Sequence, residues 1–218
     1  MMLKNDQNTP HPACYNNPNE ICHNYECGKP VMVSVQLKHE VEKILPSVRK
    51  PGRYTGGELN QTVKNWDSVD VHVALAFPDI YDLGMSNLGL MILYDIINKE
   101  ESMLAERVFS PWPDMEAALR ENGLPLFSLE TKHALGAFDI LGISLPYESL
   151  YTNALNLLDL ADIPVMAEHR EDHHPLVIAG GHATLNPEPM ASFIDAFVIG
   201  EGEEVILEIA QAVRAHKR

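Results

Sequence analysis

From residue 69 onward, short uninterrupted apolar runs alternate with stretches of helical periodicity. No other feature restricts the fold as much. The runs are VDVHVALAF (69–77), AERVFS (105–110), FDILGISL (138–145), PLVIAG (175–180) and IDAFVIG (194–200). Each reads as a strand. They are continuous rather than alternating, the pattern of parallel strands covered on both faces. NLGLMILYDIINK (87–99) reads as a helix, apolar nearly all round and therefore expected to be buried. PDMEAALREN (113–122) has Pro113 in its first turn and Gly123 as its stop. SLYTNALNLLDLAD (149–162) places Leu150, Ala154, Leu157, Leu158 and Ala161 on one face. EEVILEIAQAVRAHK (203–217) closes the chain as a helix with Val205, Ile209, Ala212 and Val213 expected inward. Only the fourth connection is a short loop or single turn. The expected fold is therefore α/β, a doubly wound flavodoxin-like or Rossmann-like sheet of five parallel strands in the order 2-1-3-4-5.

Upstream the character changes. Residues 1–30 are rich in Asn and Pro and read as a mostly disordered arm. Residues 31–68 read as an N-terminal helix and connector. Val41, Ile44, Leu45 and Val48 share a helical face, and RKPGRYTGGELN (49–60) punctuates with Pro and Gly. Residues 69–218 form the α/β domain. The net charge is −15, which repels phosphate backbones and argues against nucleic acid as a direct partner. No run of ~18 apolar residues exists, so no membrane span is expected. The first twenty residues lack the apolar segment of a secretory signal. Cys14, Cys22 and Cys27 are the only cysteines and all lie in the arm, which fits a reducing cytoplasm. Their C-x7-C-x4-C spacing, with His11 and His23 nearby, does not match a structural zinc site, so the arm is read as disordered.

Right-handed crossovers put every strand's C-terminal end on one edge, where ligands bind beside the switch point between the first and third strands. Four loops crowd there: FPDIYDLGMSNLG (77–89), SLPYES (144–149), GGHATLNPEP (180–189) and GEGEE (200–204). Their glycines allow close backbone approach, and helices begin just beyond, near Ser86, Ser149 and Glu203. Together they point to a small-molecule site. His182 is either a ligand contact or a satisfied loop histidine. GEGEEV has Val205 where a dinucleotide fingerprint needs its third glycine, and its acids repel pyrophosphate. Asp79 and Glu148 are set aside as an acid–base pair because no nucleophile or metal site accompanies them. Ser86, Ser144 and Ser149 lack a G-x-S-x-G elbow, so a hydrolase is not expected. No catalytic and no metal-ligating residue is assigned.

The segment DIYDLG (79–84) resembles the D-x-H-x-x-G motif of cobalamin-binding domains, with Asp79, Tyr81 and Gly84 at the matching positions and tyrosine where the histidine stands. IAGGHATLNPEP and FVIGEGEEV resemble the corresponding loops of the N-terminal domain of cobalamin-binding radical SAM proteins. RYTGGELN, LAFPDIYDLGMSNLGLMILYDIIN and ERVFSPWPDMEAALRENGLPLFSLE resemble one subfamily, whose members join this domain to a radical SAM barrel. The resemblance spans about residues 40–215. It implies a cobalamin site drawn from four loops. The first supplies Asp79, Tyr81, Gly84, Met85 and Ser86. The second supplies Ser144, Leu145, Tyr147 and Glu148. The third supplies Gly180, Gly181, His182 and Thr184, and the fourth Gly200, Glu201 and Gly202. Tyrosine is a poor neutral ligand for cobalt. The resemblance thus implies cobalamin held without a histidine from this loop, or a site that has lost its cofactor.

The C-x3-C-x2-C pattern that holds a [4Fe–4S] cluster is absent. The resemblance implies that the cluster and S-adenosylmethionine sit on a downstream barrel, the partner in cis, and this chain reads as the front portion of a longer enzyme, or as a stand-alone remnant, non-catalytic by itself. The corrin would face that barrel. The alternatives are a degenerate interaction module that keeps the sheet without the ligand, and a flavodoxin-like flavin protein. A barrel that normally covers the edge predicts exposed apolar or small-residue surface around Pro146, Tyr147 and residues 180–189.

Overall fold

The computed structural model describes residues 34–217. The arm, its three cysteines, and the expectations of disorder and of no zinc site there lie outside the described residues. Five strands form one parallel sheet in the order β2-β1-β3-β4-β5, as the apolar runs require: β1 Val71–Phe77, β2 Met103–Phe109, β3 Ile140–Ser144, β4 Leu176–Gly180 and β5 Ala196–Val198. Their C-terminal ends lie level, with Phe77 beside Phe109, Ser144 beside Gly180, and Gly180 beside Val198. The helices are α1 Ser34–Ile44, the four-residue α2 Tyr81–Gly84, α3 Leu88–Lys99, α4 Pro113–Asn122, α5 Tyr151–Leu160 and α6 Val205–Lys217. α3 and α6 pack on each other and on β1, while α4 and α5 pack together. The sheet has helices on both sides, as a doubly wound fold must.

The element boundaries moved for local reasons. α1 buries Leu37 and Val41 and stops at Ile44, because Pro46 turns the next three residues into a 3₁₀ turn. α4 runs from Pro113 and ends where Gly123 adopts φ 61°. β5 is three residues, shorter than the apolar run 194–200: the Asp195 carboxylate accepts the Val177 N–H at 2.7 Å, and Gly200 turns away at φ 113°. The link from β4 to β5 holds two 3₁₀ turns, His182–Leu185 and Glu188–Met190, rather than one. α6 buries Ile206 and Ala210; Ala212, expected inward, is exposed. The expectation that α3 is buried all round is also corrected. Only Leu90, Tyr94 and Ile97 are buried, and Leu88 is 71% exposed. A second apolar side of this helix borders open space.

Two charged residues, Glu106 and Arg107, lie fully buried on β2. They belong to a seal over the outer edge of the sheet. Arg107 Nε donates to Glu130 Oε1 at 2.6 Å, and both side chains are wholly buried. The other Glu130 oxygen accepts the Arg107 backbone N–H at 2.8 Å, and the Leu129 N–H donates to the Arg107 carbonyl at 2.7 Å. The Asn98 side-chain amide exchanges two hydrogen bonds with the Ala105 backbone, at 3.0 and 3.1 Å. Backbone groups that would template a foreign strand are thus occupied. Removing one member of such a buried ion pair strands its partner's charge, which is strongly destabilising.

At the opposite end of the strands from the ligand edge, Trp66 is stacked between His72 and His133, with ring centroids 3.8 and 3.6 Å away. Asp139 accepts the His72 backbone N–H at 2.8 Å and pairs with Lys217 at 2.8 Å. Burial, then the neighbouring His72, pushes His133 down to about 4. Between that value and about 6.5, the unfolded chain binds the proton that the folded chain refuses. Stability therefore falls as pH drops from about 6.5 to about 4, and the loss is complete below that window. The Asp139 carboxyl is held low by its partners against the cost of burial, so its contribution is lost only at more acidic pH. A pH series of melting temperatures on His133→Gln is expected to be flatter than wild type between pH 6.5 and 4.

Candidate functional site

The open space beside α3 is a cleft of 440 Å³ at the C-terminal edge of the sheet. That lies within the ~300–1,000 Å³ range of small-molecule sites. Its floor is Leu75 of β1, Gly142 and Ile143 of β3, Ile178 of β4 and Val198 of β5. Asn87, Gly89 and Leu93 line it from α3 and its cap; Gly202, Glu203 and Ile206 line it from the start of α6. Ser144, Pro146, Gly180, Gly181, His182, Gly200 and Glu201 complete it from the strand ends. Six glycines share in this lining, so much of the surface is bare backbone.

The loops hold their shape through backbone bonds. Gly181 has φ 111°, and a Cβ there would lie 2.7 Å from the Leu145 carbonyl oxygen. The Leu145 N–H donates to the Gly180 carbonyl at 2.7 Å, and the Leu145 carbonyl accepts from the Ala183 N–H at 3.0 Å. The buried Thr184 hydroxyl sits 2.7 Å from the Gly181 carbonyl and 3.1 Å from that of Val198, so it fastens the β4 loop to the end of β5. It acts inside the wall rather than on the cleft.

The four loops do meet at one edge, but they contribute unequally. Ser144, Gly180, Gly181, His182, Gly200, Glu201 and Gly202 come together around the cleft. Leu145 is buried beneath it, and Tyr147 and Glu148 are exposed beyond its lining. The DIYDLG loop turns elsewhere. The Tyr81 hydroxyl donates to Glu58 Oε1 at 2.7 Å, and its ring meets Phe109 edge-on at 5.6 Å. Burial and the Glu58 carboxylate raise this phenol to about 12, so it remains a neutral donor. Gly84 serves packing: a Cβ would stand 2.4 Å from the Phe109 ring. Asp79 Oδ1 accepts the Ile80 N–H at 2.7 Å, and the Ser86 hydroxyl donates to the Leu83 carbonyl at 2.9 Å. Met85 packs against the core. None of these five lines the cleft.

Asn87, Gly89, Pro146 and Glu203 line the cleft from the loops expected at this edge without having been singled out as site residues, and Leu75, Leu93, Gly142, Ile143, Ile178, Val198 and Ile206 lie outside those loops. Two carried a signal. Gly142 interrupts an apolar strand, and Gly89 sits in the first turn of an apolar helix. The others are ordinary core residue types. Among the described residues, no group of three His, Cys, Asp or Glu is placed to hold a metal ion. Among them, too, no helix is long and apolar enough to cross a membrane.

Residues 89–218, from the α3 wall of the cleft through α6, match the family described as radical SAM proteins, N-terminal. The chain belongs to that family. An uncharacterized protein of Methanocaldococcus jannaschii, MJ0966, is 25% identical over 142 residues, 63% of this chain and 26% of its own length. The chain thus spans about a quarter of that relative. The family match begins after the DIYDLG loop and includes the glycine-rich loops that follow β4 and β5. In this radical SAM N-terminal domain, the region shared with the family therefore carries most of the cleft.

Gly181→Ala is expected to lower stability by about 1–3 kcal/mol, because it combines a left-handed φ with a backbone collision. Tyr81→Phe is expected to cost about 0.5–1.5 kcal/mol through the lost Glu58 bond. Chemical denaturation midpoints measure both.

Proposed function

We propose that the cleft receives the nucleotide tail of a cobalamin, and that this domain presents the corrin to a radical SAM barrel elsewhere in a longer protein. The observation that carries the reading is the glycine-lined cleft at the strand ends of a radical SAM N-terminal domain. An apolar floor of Leu75, Ile178 and Val198 suits a flat heteroaromatic base. The Ser144 hydroxyl, His182 and the Asn87 amide nitrogen are polar groups available to hold it; the Asn87 oxygen already accepts the Leu90 N–H at 2.9 Å. The bare backbone of Gly180 and Gly181 leaves room for a bulky group above. Glu201 and Glu203 disfavour a pyrophosphate, which argues against a dinucleotide.

Tyr81 is engaged with Glu58, so the reading requires a cobalamin that takes no ligand from this loop. When bound, cobalamin supplies a cobalt centre that carries a methyl group or tunes the reaction. The family implies S-adenosylmethionine and a [4Fe–4S] cluster in the whole protein, and the reading assigns both to the barrel. Exposed apolar residues in the loops of the same edge support a covering domain: Leu83 at 52%, Leu88 at 71%, Tyr147 at 46%, Leu185 at 65% and Ile199 at 60%. The same engagement of Tyr81 favours a second reading, an interaction module that has kept this edge and lost the cofactor.

Titration of the purified chain with hydroxocobalamin separates the two. The cofactor reading expects a change in the visible spectrum and co-elution on gel filtration, both lost in Ser144→Trp, which fills the cleft. No spectral change and no co-elution with wild type leaves the interaction module.

A further inference from the structure

Five of the cleft's six glycines fall into two physical classes; the sixth, Gly180, ends β4 with its nearest neighbour, Val198 Cβ, 3.8 Å from where its own Cβ would stand. Gly181 and Gly200 have φ of 111° and 113°, a conformation that disfavours any side chain, and Gly181 also meets a carbonyl oxygen. The fold itself demands them. Gly89, Gly142 and Gly202 lie outside the left-handed region, and nothing about them obstructs a methyl group. A Cβ on Gly142 would lie 3.4 Å from Leu75 Cδ2 and 3.8 Å from Ile178 Cγ1, which is ordinary van der Waals contact. On Gly89 it would meet only Asn87 Oδ1, at 3.5 Å. On Gly202 it would meet Leu93 at 3.5 and 3.9 Å.

Two of these three, Gly142 and Gly89, are also where glycine serves the fold badly. Gly142 pairs with Leu75 and with Ile178 in the interior of the sheet, where alanine or a β-branched residue strengthens a strand. Gly89 lies in the first turn of a helix, where glycine is a poor former; Gly202 gives its carbonyl to the Ile206 N–H at 2.9 Å at the entry to α6, where glycine is tolerated. All three line the cleft: Gly142 on the floor, Gly89 on the α3 wall, and Gly202 across from Leu93 at the entry to α6.

We infer that Gly89, Gly142 and Gly202 are held free of side chains for the ligand rather than for the fold, and that they set the width of a slot for a planar ring without negative charge. Among the described residues no lysine or arginine lines the cleft, so nothing there would neutralise an anionic ring. Aliphatic side chains flank Gly142 on the floor, and a flat aromatic face buries most area against such a surface. The inference rests on the cobalamin reading for its ligand, the benzimidazole base of the tail, and names the positions that select it.

The test compares wild type with Gly89→Ala, Gly142→Ala, Gly142→Val and Gly202→Ala, with Gly84→Ala as a control for a glycine that packing requires. Melting temperatures are measured without ligand. Dissociation constants are measured for hydroxocobalamin and for 5,6-dimethylbenzimidazole alone. Gly89→Ala and Gly142→Ala are expected to melt at the wild-type temperature or up to about 3 °C above it, and Gly202→Ala within about 3 °C of it, while Gly84→Ala melts lower. Binding of each probe that wild type takes is expected to weaken about tenfold or more in Gly142→Ala, and further in Gly142→Val. Melting temperatures lowered in both Gly89→Ala and Gly142→Ala overturn the inference, since the fold then needs these glycines. Unchanged affinity for hydroxocobalamin overturns the inference and leaves the cobalamin reading standing. A wild type that binds dimethylbenzimidazole but no hydroxocobalamin, with the variants losing the base, overturns the cobalamin reading and supports the slot. A wild type that binds neither probe overturns both.

Discussion

A parallel sheet must be roofed on both faces, and in this protein one roof is incomplete. α4 and α5 pack together on one side of the sheet. On the other, α3 and α6 touch each other and β1 but leave 440 Å³ open over the ends of β1, β3, β4 and β5. The floor itself is apolar, with Leu75 and Ile178 buried and Val198 half-buried. Gly142 on β3 and Gly89 on α3, two of the glycines that line it, are unfavourable choices for strand and helix. A chain selected for stability alone would close this gap with methyl groups, so the gap itself is the strongest functional statement the fold makes.

The rest of the architecture protects that opening by being rigid around it. The outer edge of β2 is closed by the Arg107–Glu130 pair, by Leu129 and by the Asn98 amide, so the sheet neither frays nor recruits another strand there. The bonds between Leu145 and the loop of Gly180, Gly181 and Ala183 lock the β3 and β4 loops together, and Thr184 fastens them to β5. The far end of the strands carries its own polar cluster around Trp66, His72 and His133. Titrating groups that weigh on stability are thereby kept away from the cleft.

The DIYDLG loop shows how a likeness in sequence can go with a geometry that serves something else. Gly84 is fixed by the Phe109 ring and Tyr81 by Glu58, a residue of the connector that precedes the sheet. Both have structural employment, so their presence is explained without any ligand. The cofactor reading rests instead on the later loops, within the stretch that matches the radical SAM N-terminal family.

The sequence by itself determined the architecture. Continuous apolar runs separated by helical stretches admit few arrangements, of which 2-1-3-4-5 is the simplest, and right-handed crossovers leave one edge for the loops. It also located the edge residues Ser144, Gly180, Gly181 and Gly202, because glycine and serine just past an apolar strand stand out in one dimension. Only the tertiary structure decided which side of the sheet stays open and which residues face it. Leu93 and Leu90 are the same residue type three positions apart, yet one lines the cleft and the other is buried. Tyr81 and Ser144 belong to loops on the same edge, yet only Ser144 reaches the space. The divergence of α3 and α6 is set by packing between segments more than a hundred residues apart, and local composition does not record that distance.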